Sequence, residues 1–289
     1  TINGSFALGI STYDKLNDSY NKNGVYSIKV CVDSSICYKF TVDELDFSTS
    51  RYINAHMDYK EKKESKRKYH RCYKLPHNKL TNYSEIINEG IINIKDTLPH
   101  LISLEVTDIY GNISDLDFNV KSTNNPFLSR CPLPKDTINT PFSLDKVNVF
   151  KKENMELHMK AFSLYEPLIF HYNTIDSVDG VYGKVHQVHY NNTPVHKKYV
   201  LSLNAKIADS LKTRYYIATT DLKGNFWYIG GKWTEGFIKT KTREFGNFCI
   251  ITDTIIPEIK GVNIYPGKIF NTQSTIKCTI KDNDSGIKN

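Results

Sequence analysis

Nine histidines are the residues best suited to chemistry in this chain, but their spacing does not predict a metal site. The densest group is His186, His189 and His196, in a stretch whose composition is typical of a strand. Positions 186 and 189 of a strand point to opposite faces, so we do not expect these two side chains to share an ion. His56 and Asp58 lie in a segment that we interpret as helical, where side chains two positions apart diverge.

Other patterns that would indicate catalysis or cofactor binding are missing from the sequence. It contains no GxSxG, GxxxxGK[ST], GxGxxG or HExxH motif. Residues 282–286 place carboxylates at alternating positions, but they lack the later ligands and the final Glu of a calcium-binding loop. We therefore predict no catalytic residue, no cofactor-binding residue and no metal ligand in this chain.

The six cysteines form no CxxC pair, which argues against a zinc ribbon or a thioredoxin-like centre. Cys31 and Cys37 flank a predicted three-residue turn at residues 33–35 and share strand parity. A disulfide between them is geometrically feasible. Of the two alternatives we favour a pair of free, half-buried thiols.

Positive charge is concentrated in one short segment. The 289-residue chain has a formal net charge of +7, and residues 60–74 (KEKKESKRKYHRCYK) hold eight basic and two acidic residues. This run indicates either a solvated helix end, with pairs such as Glu64–Lys68, or a patch that binds an acidic polymer. No base-reading motif accompanies the charge, so we expect no specific nucleic-acid partner. The candidate polyanion patch is Lys62, Lys63, Lys66, Arg67, Lys68 and Arg71.

The hydrophobic pattern predicts an all-β protein. Runs such as 24–32 and 101–107 alternate, are rich in β-branched and aromatic residues, and are separated by turn residues every eight to twelve positions. We predict tandem immunoglobulin-like or fibronectin-like β-sandwiches with one or two short helices, at about 51–65 and 82–88. No apolar run approaches the roughly 18 residues of a membrane span, so no transmembrane segment is expected.

One six-residue pattern, Thr-Asp-x-x-Gly-Asn, occurs twice, 113 residues apart. Each copy lies between two predicted strands, where Gly supplies a positive φ and Asp bonds back to the turn backbone. The predicted turn residues are Asp108, Gly111 and Asn112 in the first copy and Asp221, Gly224 and Asn225 in the second. The offset predicts a β-sandwich at 1–122, a Pro-containing linker at 123–141, a second sandwich at 142–253 and the start of a third, incomplete sandwich at 254–289.

Several segments resemble the β-rich region that follows the catalytic domain in bacterial lysostaphin-type (LytM-like) zinc metallopeptidases. The most specific is Arg-Tyr-Ile-Asn-Ala-His-Met-Asp-Tyr at 51–59, and in that family an Asp-x-x-Gly-Asn turn like the one at 108–112 closes the module. The family's zinc motifs, His-x-x-x-Asp and His-x-His, are absent here. The other matching segments are residues 4–10, 21–26, 78–80, 241–246 and 253–257.

The resemblance implies that this chain is a piece of a longer exported protein, located in the periplasm, at the outer membrane or on the cell surface. Its expected role is to position a peptidoglycan-directed zinc endopeptidase whose catalytic domain lies upstream. Zinc is then expected only in that domain, and the expected partner is a cell-envelope polymer or the parent's own catalytic domain. The alternative is a carbohydrate-binding or adhesin-type immunoglobulin-like module with no enzyme attached.

Overall fold

The prediction of an all-β protein is confirmed. In a computed structural model of the chain, strands account for 46% of the residues and helices for 9%. We call the part up to residue 123 the first unit and the part from 138 to 253 the second unit. The structure describes residues 1–282 except 3, 16–19, 124–137, 177, 271 and 273–274.

The first unit is built on a five-stranded antiparallel sheet. Alternation along its strands buries one face, where Ile28 and Val30 lie beside Tyr38 and Phe40, all at most 3% exposed. The order across the sheet is β6 (Tyr83–Ile86), β4 (Ser35–Thr41), β3 (Ser27–Val32), β8 (Pro99–Thr107) and β9 (Ile113–Lys121).

Short elements cover the buried face of this sheet, and they contribute Tyr52, Ala55 and Ile92 to the core. Two small sheets pair β1 (Ser5–Phe6) with β7 (Ile92–Asn93) and β2 (Gly9–Ile10) with β5 (His70–Arg71). The helical segments are a 3₁₀ turn (Ser50–Tyr52), α1 (Ile53–His56), α2 (Tyr59–Glu64) and a second 3₁₀ turn (Asn88–Gly90).

Both helix predictions need correction. The helix expected over 51–65 is broken at Met57, whose backbone is extended, and Asp58 then caps α2 by accepting a hydrogen bond from the Glu61 N–H. The helix expected over 82–88 is wrong, because most of that range forms β6.

The second unit consists of two antiparallel sheets, of six and five strands, with a shared core between them. Phe170 and Phe248 of one sheet pack with Leu157 and Leu201 of the other, and all four are fully buried. One sheet contains β10 (Ile138–Phe142), β13 (Leu168–Ile175), β14 (Val181–Val188), β20 (Gly246–Thr252), β16 (Tyr215–Thr220) and β17 (Phe226–Gly230), in that order. The other contains β11 (Asn148–Lys152), β12 (Met155–Met159), β15 (Tyr199–Asn204), β19 (Phe237–Thr242) and β18 (Lys232–Thr234).

Three further features complete the described chain. A 3₁₀ segment (Asp209–Arg214) precedes β16, and after the second unit β21 (Glu258–Gly261) pairs with β22 (Cys278–Lys281) in an exposed hairpin. Most of the predicted linker lies outside the described residues, and β10 occupies the end of the range expected for it. No helix among the described residues is long and apolar enough to cross a membrane.

The hairpin that carries Cys31 and Cys37 turns more tightly than expected. Asp33 and Ser34 both have positive φ (47° and 70°), which makes a two-residue turn instead of the predicted three-residue one. Cys31 therefore pairs with Ile36, and both Cys31 and Cys37 are free thiols, as favoured from the sequence. Cys131 lies outside the described residues.

Candidate functional site

The basic segment begins on α2 and continues as a loop. The helix ends at Glu64 with Ser65 as its C-cap, and Lys66 takes a left-handed conformation (φ 62°) that redirects the chain toward β5. Lys68 therefore lies outside the helix, and the predicted Glu64–Lys68 pair is replaced by a hydrogen bond of 2.6 Å from Asn192 Nδ2 to Glu64 Oε1.

Four of the six predicted patch residues line one cleft. Its volume is about 510 Å³, and Lys22 from a separate loop joins the group. No acidic side chain is among its described lining residues, so the positive charges are not neutralised within the cleft. The four patch residues are Lys62, Lys66, Arg67 and Lys68. We call this the basic cleft.

The other two patch residues lie elsewhere. Arg71 is only 12% exposed, and its guanidinium lies 3.7 Å from the Asp58 carboxylate. Its position in β5 and its contact with the Ala55 carbonyl oxygen (3.4 Å) indicate a structural role. Lys63 lies over the Tyr59 ring and lines a different cleft, between the two units.

The two Asp-x-x-Gly-Asn turns share their side-chain hydrogen bonds, although Leu222 of the second copy has a positive φ (64°) that its counterpart Ile109 lacks. Asp108 Oδ1 accepts hydrogen bonds from the backbone N–H groups of Tyr110 (2.8 Å) and Asn112 (2.9 Å), and Asn112 Nδ2 donates to Asp108 Oδ2. These bonds, the one from the Asn112 side chain above all, lower the pKa of Asp108. Gly111 has a φ of 87°.

The second copy repeats these contacts. Asp221 Oδ1 accepts from the N–H groups of Lys223 (2.8 Å) and Asn225 (3.3 Å), Asn225 Nδ2 donates to Asp221 Oδ2, and Gly224 has a φ of 91°. Each turn joins an inner strand of its sheet to the edge strand, β8 to β9 and β16 to β17. Their place in the fold is therefore matched as well as their side-chain hydrogen bonding.

The densest histidine group is divided among different environments, and the described residues contain no cluster of three metal-ligating side chains. His186 is buried and its Nδ1 lies 2.9 Å from the Tyr172 hydroxyl. His189 is also buried and its Nε2 lies 3.1 Å from the Thr193 hydroxyl. Burial lowers the pKa of each ring to about 4, so both are neutral near pH 7.

Sequence reasoning missed the contact that joins the two units, which we call the seam. Tyr165, in the loop between β12 and β13, is 2% exposed and belongs to the core of the first unit. Its hydroxyl donates to the carbonyl oxygen of Arg51 (2.8 Å), and its own carbonyl accepts from the N–H of His77 (2.9 Å). A residue of the second unit is thereby anchored inside the first.

Two histidines and a tyrosine complete the seam. His77 Nδ1 donates to the Leu164 carbonyl oxygen (2.7 Å), and its Nε2 lies 3.3 Å from the Tyr52 hydroxyl. The ring of His196, from the second unit, stacks on Tyr52 with centroids 4.3 Å apart. Burial is the main cause that lowers the pKa of both histidines, and the pKa of His196 falls to about 4. The seam is therefore aromatic and uncharged near neutral pH.

Comparison with known proteins gives one match, confined to the second unit. No curated protein and no solved structure matches the chain. The resemblance to lysostaphin-type peptidases accordingly stays a prediction from the residues. Residues 139–253, about two fifths of the chain, match the family model described as a Zu5-like domain.

Proposed function

We propose that this chain is a non-catalytic region that positions an exported, peptidoglycan-directed zinc peptidase, whose catalytic domain lies upstream, on its polymer. The proposal combines the resemblance of segments such as 51–59 with two features of the fold. The first feature is the seam, which holds the two units together. The second is the basic cleft, which offers positive charge to an anionic polymer.

The observation that carries the positioning role is the seam. A flexible tether would join the two units only through the chain, whereas here Tyr165 is buried in the core of the first unit and hydrogen-bonded to Arg51. His77 holds the same loop through two backbone contacts, to Leu164 and Tyr165. Such a connection supports a spacer of fixed length and direction, because bending it would expose buried aromatic surface.

The basic cleft supports contact with the polymer. Its four patch residues come from α2 and the loop that follows it, Lys22 comes from a separate loop, and all five face one space without acidic neighbours in the described lining. Peptidoglycan peptides and the polymers attached to cell walls carry carboxylates and phosphates, which lysine and arginine side chains bind. The attraction of exposed charges is screened by salt, so retention that depends on this cleft must weaken as ionic strength rises.

The test is retention of the purified chain on insoluble peptidoglycan across a salt series. We expect binding at low salt that falls steeply with added salt, and strong loss of binding when Lys66, Arg67 and Lys68 are each replaced by Glu. A matched control replaces three exposed lysines of the second unit by Glu and so makes the same change in net charge, from +7 to +1. These control positions are Lys152, Lys160 and Lys198.

The control separates a local site from a general charge effect. Loss of retention in the cleft variant alone supports the proposal. Equal loss in both variants, or unchanged retention in the cleft variant, contradicts it.

A further inference from the structure

A second cleft, distinct from the basic cleft, lies between the two units at one end of the second unit's sheets. Its volume is about 780 Å³, within the range of sites that hold small ligands. The second unit supplies most of its lining, and Lys63 and Glu64 of α2 close it from the first unit. The bond from Asn192 to Glu64 fixes the two sides to each other. We call it the seam cleft.

An exposed indole forms one wall of the seam cleft. Trp227 lies on the edge strand β17, opposite Thr219, which in turn lies opposite the buried Phe248. Residues paired in this way share one face of a sheet, so Trp227 lies on the face that packs against the other sheet. Its position on the edge strand leaves it where the other sheet does not cover it. The side chain is nevertheless 54% exposed. A large aromatic ring left open beside a cleft offers a flat apolar surface to a ligand.

Four amide side chains also line the seam cleft. A carboxamide has two N–H donors and a carbonyl acceptor, which suits hydroxyl groups that both donate and accept. Here Asn192 Nδ2 already donates to Glu64, and Asn247 Nδ2 donates to the Thr220 carbonyl oxygen. The Asn247 carboxamide oxygen is buried without a hydrogen-bond partner, and Tyr190 adds a second half-exposed ring. The amides lining the cleft are Gln187, Asn191, Asn192 and Asn247.

The charges around the seam cleft disfavour an anionic ligand. The charged residues of its described lining are Lys63 and three carboxylates, those of Glu64, Asp221 and Glu244. Asp221 is engaged in its turn and Glu64 is bonded to Asn192. A polyanion would meet net negative charge here, in contrast to the basic cleft.

We propose that the seam cleft binds a neutral oligosaccharide. The C–H face of a pyranose ring stacks on Trp227, and its hydroxyl groups exchange hydrogen bonds with the surrounding amides. The inference rests on an aromatic platform beside convergent amides and does not depend on the basic cleft or on the proposed positioning role.

The test uses saturation-transfer difference NMR with three probes, chitotetraose, cellotetraose and mannotetraose, each up to about 10 mM, which detects millimolar binding. We expect saturable transfer to at least one probe and little change with salt. Trp227→Ala should weaken that binding about tenfold or more, and Trp227→Tyr should restore most of it.

The matched control is Tyr228→Ala. Tyr228 is the next residue of β17, it points to the opposite face, and it is exposed to a similar extent (47%). We expect the control to bind as the wild type does. Circular dichroism of each variant establishes that it is folded. The proposal is overturned if no probe shows saturable transfer, or if Trp227→Ala binds as tightly as the wild type or Tyr228→Ala.

This outcome is separable from that of the proposed function. The variant with Lys66, Arg67 and Lys68 replaced by Glu should lose retention on peptidoglycan and still bind the neutral probe. Sugar binding without salt-sensitive retention contradicts only the proposed role of the basic cleft. Retention without sugar binding contradicts only the proposed role of the seam cleft.

Discussion

Replacing Tyr165 by Ala should uncouple the two units. The side chain is 2% exposed and packs in the core of the first unit, although its loop belongs to the second. Truncation of a buried aromatic side chain costs about 3–5 kcal/mol. This lost free energy weakens the contact between the units, because the substitution leaves the rest of the chain in each unit unchanged. We therefore expect the two units to unfold separately in this variant and together in the wild type.

The two tryptophans make this measurable by urea denaturation. Trp227 and Trp233 both lie in the second unit, so their fluorescence reports on that unit, whereas far-UV circular dichroism reports on the strands of both. In the wild type the two signals should change in one coincident transition. In Tyr165→Ala the dichroism should become biphasic, and only one phase should coincide with the fluorescence.

Tyr165→Phe is the control for the hydroxyl group. It keeps the ring and removes the 2.8 Å bond to the Arg51 carbonyl oxygen, so we expect a loss of about 1 kcal/mol with the transitions still coincident. Coincident transitions in Tyr165→Ala, or separate transitions already in the wild type, would refute the idea that the seam couples the units.

Two further predictions concern the turns and the buried histidines. Gly111→Val and Gly224→Val should each cost about 1–2 kcal/mol of stability through backbone strain, since both glycines have positive φ and no atom would meet an added Cβ. The control is Gly24→Val, which has equal space but no positive φ and should cost less. Equal urea midpoints for all three variants would contradict this prediction. The second unit should lose stability below about pH 6.5, since the folded-state pKa of His186 and of His189 is about 4 and the unfolded chain therefore binds more protons between these values. The loss of unfolding free energy approaches about 1.4 kcal/mol per pH unit for each ring. In His186→Gln, urea denaturation followed by Trp fluorescence should show an unfolding free energy that changes less with pH. A urea midpoint that does not change from pH 6.5 to 4.5 would contradict the assignment.

The strands could be predicted from the sequence because their alternation is a local signal. The runs 24–32 and 101–107 reappear as β3 and β8 with small changes at their ends. The helix prediction failed at Met57 because a competing interaction, the Asp58 cap, restarts the helix there. Likewise, the three-residue turn expected after Cys31 failed because Asp33 and Ser34 both adopt positive φ.

The candidate sites were less accessible to sequence reasoning. The charge run indicated the right segment, but only the fold separates the residues that line the basic cleft from Arg71, which is only 12% exposed. The seam joins His77 to Leu164, 87 positions apart, and no periodic pattern reports such a contact. Trp227 is part of an ordinary strand pattern, and only its place on an edge strand leaves its ring open to the seam cleft.

The most direct test of the proposed function measures binding and cleavage on the same sample of insoluble peptidoglycan. The purified chain is incubated with the polymer at low salt, with and without added zinc. Bound protein is then measured in the pellet and released muropeptides in the supernatant. We predict retention that is reversed by salt, no released fragments under either condition, and no stoichiometric zinc in the recovered protein. Release of fragments together with about one zinc per chain would contradict a non-catalytic role, and absence of retention at low salt would contradict a positioning role on this polymer.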